Sequence, residues 1–91
     1  MTMDRIESIR MKLIDNLDAD SVEIRDDSHL HDGHAGAASG GGHYAVTIIS
    51  DRFTGHSLLE RHRMVYSALD DMMQKEIHAL SIETYTREER T

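Results

Sequence analysis

The sequence predicts an α+β two-layer sandwich of order α-β-β-α-β, in which two helices cover one face of a mixed three-stranded sheet. Two stretches repeat their apolar residues at spacings of three and four, the period of one helical face. Three shorter runs carry the alternation and β-branched content of strands. The last two of these runs are separated by a helical stretch, which permits a parallel crossover, whereas the first two can pair antiparallel.

Residues 3–17 form the first helix, with Met3, Ile6, Ile9, Leu13 and Leu17 on one face and Asp4, Glu7, Lys12 and Asp15 away from it. A polar turn follows from Asn16 to Ser21. The first strand, 21–26, sets Val22 and Ile24 against Glu23 and Arg25. The second, 43–50, is apolar on both faces, which suits a central position. A turn around Gly55, anchored by Phe53, leads to Ser57-Leu58-Leu59-Glu60, a capping box. The second helix runs from there to about Lys75. Its core stripe is Leu58, His62, Val65, Leu69 and Met72, with Leu59, Tyr66 and Met73 beside it. The third strand, 78–84, places His78, Leu80 and Ile82 on one face, and residues 86–89 cap a last short turn within a C-terminal tail, 85–91.

The segment 26–43 stands out. It holds four of the seven histidines and five of the six glycines, and it is much longer than the usual connection of ~2–5 residues in a hairpin. His29, His31 and His34 have the spacing H-x-H-x-x-H on what the glycines predict to be a flexible loop. Imidazole is a common ligand for zinc, iron, copper and nickel, so a metal-related role comes first to mind. His78, at the head of the third strand, is a further candidate. His43 is read as a hydrogen-bonding residue that orients the loop, and His62 as part of the apolar stripe.

The 91 residues make one small domain. It has no cysteine, which excludes disulfides, zinc ribbons and any iron–sulfur cluster held by its own thiolates. The formal net charge of −7 opposes non-specific binding to nucleic acid and anionic membrane. No signal-peptide pattern or membrane span is visible, so a soluble cytoplasmic domain is expected. Arg52, Arg61 and Arg63 form a local basic cluster. Signatures of catalysis such as H-E-x-x-H, G-x-S-x-G and the phosphate loop are missing, so an enzyme is the least expected class.

Several segments in order resemble the BolA family, across almost the whole chain from Ile6 to Glu88. They are Asp27-Ser28-His29 leading into His31-Asp32-Gly33-His34, then His43-Tyr44, then Ser50-Asp51-Arg52-Phe53-Thr54-Gly55, then Arg61-His62-Arg63-Met64-Val65-Tyr66, and His78-Ala79-Leu80. Their order and spacing make the resemblance specific. It implies a fold related to the class II KH domain. It also implies a heterodimer with a monothiol glutaredoxin, bridged by a [2Fe–2S] cluster that glutathione helps to hold, with no cofactor in the isolated chain. Within such a pair, the resemblance makes His78 one ligand and His34 the favoured second, with His31 and His29 as alternatives. A cysteine-free chain can offer imidazoles to one side of a cluster, as Rieske centres do. Some members are described as transcriptional regulators, so a DNA-binding reading stands beside it, with Arg61 and Arg63 of the helix starting near Ser57 on phosphates. The segment Thr54-Gly55-His56-Ser57 lacks the second glycine of the KH loop GXXG, which argues against RNA binding of KH type. A small zinc protein using the loop histidines is the remaining reading.

Overall fold

The structure, a computed structural model, describes residues 4–27, 42–70, 72–75 and 77–90. Its elements are α1 (Arg5–Leu17), β1 (Ser21–Asp26), β2 (Gly42–Ile49), a 3₁₀ turn (Asp51–Phe53), α2 (Leu58–Leu69), α3 (Met72–Lys75), β3 (Ile77–Tyr85) and α4 (Arg87–Arg90). The sheet order is β1-β2-β3, with β1 antiparallel and β3 parallel to the central β2. The predicted α-β-β-α-β order and mixed sheet are therefore present.

Helix α1 starts at Arg5, two residues after the expected start at 3, and Asp4 caps it by accepting from the Glu7 amide at 2.8 Å; Met3 lies outside the described residues. It stops at Asp18, whose φ of 52° turns the chain into the left-handed region. Ile9, Leu13 and Leu17 are buried against Val22, Tyr44, Val46 and Ile48 of the sheet and Val65, Ala68 and Leu69 of α2. Phe53, fully buried, closes this core under the turn after β2. Two side chains bind helices to their neighbours. Arg10 Nη1 donates to the Val22 carbonyl at 2.7 Å, and Asn16 Nδ2 donates to the Ala68 carbonyl at 2.9 Å, which satisfies one of the open acceptors at the end of α2.

Three further expectations change. The second helix ends at Leu69 rather than near Lys75, because Asp70 takes φ 53° and ψ −129°, a conformation no helix can continue through, and α3 follows as a separate turn. Leu58, Leu59 and Tyr66 are exposed at 65%, 61% and 43%. Periodicity identifies the apolar face of a helix but not which of its turns meet the core: the buried residues of α2, Val65, Ala68 and Leu69, lie in its C-terminal half, so Leu58 and Leu59 are left outside, and Tyr66 flanks the buried stripe. Third, His78 does not share the core side with Leu80 and Ile82. The register between β2 and β3 shifts at Gly42/His43, so that Gly42 faces Ile77 and His43 faces Ala79. This bulge buries Ile77 and leaves His78 exposed.

Candidate metal centre

Strands β2 and β3 are parallel, so their N-terminal ends lie side by side, and each begins with an apolar or glycine residue followed by histidine: Gly42-His43 and Ile77-His78. On β2 the alternation that buries Tyr44, Val46 and Ile48 places His43 on the opposite, half-buried side. Its carbonyl accepts from the Asp27 amide at 2.8 Å, which extends the β1–β2 ladder past Asp26. On β3 the bulge carries His78 to the same side. The two imidazole rings stand 5.0 Å apart between centroids, tilted by 50°. Gly42 is needed at the start of β2 because a Cβ there would overlap the Tyr44 ring, which folds back over it toward the core.

Two imidazoles bound to one metal ion, with bonds of about 2.1 Å and a near-tetrahedral angle, have centroids about 5 Å apart. The observed pair fits that spacing, and at least His78 is open to a partner surface. Among the described residues no group of three or more histidines, cysteines and acids is arranged around a metal position; His43 and His78 stand as a pair. His78 stands at the head of the last strand, as the sequence predicts, and His43, expected to orient the loop, lies beside it. Only the strand register joins them, and two histidines 35 positions apart carry no local spacing signal. His34, His31 and His29 lie outside the described residues.

The remaining candidates separate. His62 is half buried on α2, its Nε2 enclosed with no hydrogen-bond partner among the described residues, as a residue of the apolar stripe rather than of a polar site. His56 lies 3.7 Å from Glu60 at the exposed start of the same helix. The Ser57–Glu60 capping box is present. Arg61 makes a bidentate pair with Glu89 at 2.6 and 3.0 Å and donates to the His56 carbonyl, with its guanidinium 5.9 Å above Phe53. That guanidinium, with the Thr86 amide, holds the Glu89 carboxyl down to about 2. Arg61 thus fastens α2 to the C-terminal turn, whereas Arg63 is exposed.

A profile of the family described as BolA-like protein matches residues 13–89. The chain is 44% identical over 68 residues to the DNA-binding transcriptional regulator BolA of Escherichia coli, a match that covers 75% of this chain and 62% of that protein. It is 42% identical over 79 residues to SufE-like protein 1, chloroplastic/mitochondrial, of Arabidopsis thaliana, covering 81% of this chain and 21% of that one. The match thus spans less than two thirds of either relative. Among solved structures, the BolA domain of SufE1 from Arabidopsis thaliana superposes with a TM-score of 0.82 at 39% identity, over 98% of this chain and 99% of that domain.

Proposed function

The chain belongs to the BolA-like protein family, and from that premise we propose that it is a non-enzymatic adaptor that pairs with a monothiol glutaredoxin and shares a [2Fe–2S] cluster with it, in iron–sulfur trafficking or in iron and redox regulation. The observation that carries this reading is the His43–His78 pair at the sheet end. The chain offers imidazoles and no thiolate, so thiolates come from the partner and from glutathione. His78 is the first ligand. The second is His34, as the resemblance suggests, or His43, which the ring spacing supports; His31 and His29 are the alternatives on the same connection. A histidine ligates through an unprotonated nitrogen, so protons compete for the site.

The test is reconstitution of the chain with a monothiol glutaredoxin, glutathione, iron and sulfide, followed by visible circular dichroism. The wild-type pair is expected to give a spectrum distinct from that of the glutaredoxin alone, lost on acidification toward about pH 6, the ordinary imidazole range. His78→Ala abolishes it, and comparison of His34→Ala with His43→Ala identifies the second ligand. An unchanged spectrum with His78→Ala removes His78 from the ligand set, and no mixed spectrum at all removes the adaptor reading.

The name of the Escherichia coli relative supports a second reading, a DNA-binding regulator that uses α2 with Arg61 and Arg63. It is the weaker one, because Arg61 is already committed to Glu89 and the chain carries a net charge of −7.

A further inference from the structure

On the helix layer, a groove of about 500 Å³ runs between the end of α1 and the middle of α2. Leu17, Met64 and Ala68 supply its apolar lining, with Ser67 at one side. Arg52, from the turn after β2, and Arg63, from α2, both line it as well. No residue of β2 or β3 does, so the groove is separate from the histidine pair.

The chain has 17 acidic residues against 10 lysines and arginines, and three of its arginines are paired with acids: Arg25 with Asp27, Arg61 with Glu89, Arg87 with Asp20. Neither Arg52 nor Arg63 makes a side-chain hydrogen bond or ion pair among the described residues. Asp51, the nearest acid in sequence to Arg52, is turned away to the C-terminal turn. It accepts from the Arg87 amide at 3.1 Å and lies 3.8 Å from that residue's Nε. Two unneutralised guanidiniums therefore face one apolar groove.

We infer that this groove docks an acidic peptide segment of a partner protein, with an apolar side chain against the half-buried Met64, over Leu17 and Ala68 beneath it, and carboxylates on Arg52 and Arg63. Guanidinium pairs carboxylate bidentately, and methionine adapts its shape to an apolar anchor. A nucleic acid matches the site less well. It has no aliphatic side chain to seat, and binding it would need many more phosphate contacts against the repulsion of an acidic chain.

The probe is a short fluorescein-labelled peptide with two leucines at its centre and glutamates on both flanks. Its controls are the same peptide with glutamine for glutamate, inorganic phosphate and a short DNA duplex. Amide shifts of the full chain report where each one binds. The acidic peptide is expected to move the amides of residues 52, 63, 64, 67 and 68, and the glutamine version to bind at least about tenfold more weakly, as loss of charged hydrogen bonds implies. Arg52→Gln with Arg63→Gln is expected to weaken the acidic peptide by about the same factor while leaving the thermal melt unchanged, since both side chains are exposed and unpartnered. The inference is overturned if the peptide leaves those amides unmoved or the double variant binds it as well as wild type. It is equally overturned if phosphate or DNA moves the same amides as strongly, which makes the groove a general anion or nucleic-acid site. Self-association of the free chain that the double variant abolishes would assign the groove to a second copy and overturn it too.

Discussion

Ser50 shows how much one small residue settles. Its hydroxyl is fully buried, donates to the Leu17 carbonyl at 2.5 Å and accepts from the Arg52 amide at 3.2 Å. It therefore closes the end of α1 and opens the 3₁₀ turn at once. Ser50→Ala leaves both groups unpaired in a dry site and is expected to cost about 2 kcal/mol in urea unfolding. A loss below about 0.5 kcal/mol, the range of ordinary surface changes, would show that water or backbone movement replaces the hydroxyl. His78 and His62 make the opposite point about reading residues singly. Periodicity places both on an apolar face. His62 stays half buried there, whereas one bulge residue moves His78 out to meet His43.

At the scale of elements, the C-terminal turn α4 is held by side chains rather than by a core, for none of its residues is buried. Thr86 and Glu89 cap it reciprocally, at 2.9 and 3.2 Å. Arg61 fastens it to α2, and Arg87 fastens it to Asp20 ahead of β1 with bonds of 2.7 and 2.6 Å. The Glu89 carboxyl lies at about 2 in the folded chain against 4.5 ordinarily, chiefly through the Arg61 guanidinium and then the Thr86 amide. A lowered folded value stabilises the fold above pH 4.5, and that contribution disappears as the pH falls toward about 2. The pair is exposed on the Glu89 side, so solvent screening keeps the effect small. Carboxyl-carbon NMR should find the Glu89 midpoint near 2, and Arg61→Gln should raise it toward 4.5. A midpoint that does not move with Arg61→Gln would mean the pair is not formed in solution. The break after α2 belongs to this scale as well. Asp70, at positive φ, ends the helix where sequence period alone carries it on through Met72, because Met72 is buried in either case and keeps the apolar rhythm.

For the whole molecule, charge decides between the adaptor and regulator readings. Binding dominated by phosphate contacts weakens steeply with salt. With a net charge of −7 and Arg61 committed to Glu89, affinity for duplex DNA at physiological salt is expected to be no better than about 10 μM, at the weak end of specific recognition. Fluorescence anisotropy across a salt series measures it. Nanomolar, sequence-selective binding that is lost in Arg61→Ala with Arg63→Ala would make the regulator reading the better one. No helix among the described residues is long and apolar enough to cross a membrane.

Local chemistry determined much of this protein without tertiary information. The capping boxes at Ser57 and Thr86, the alternation of Val22 to Ile24 and Tyr44 to Ile48, and the spacing of Ile9, Leu13 and Leu17 each act within a few residues, and each appears in the structure as its pattern implies. The antiparallel and parallel pairings followed from the connections between strands. Tertiary structure alone decided how those pieces meet: which half of α2 meets the core, the bulge that buries Ile77 and exposes His78, the approach of His43 to His78, and the two arginines left unpaired beside Leu17 and Met64. These depend on contacts between residues far apart in the chain. A periodic pattern states which face is apolar, but the angle and register at which faces pack are set by the shapes of all the side chains between them.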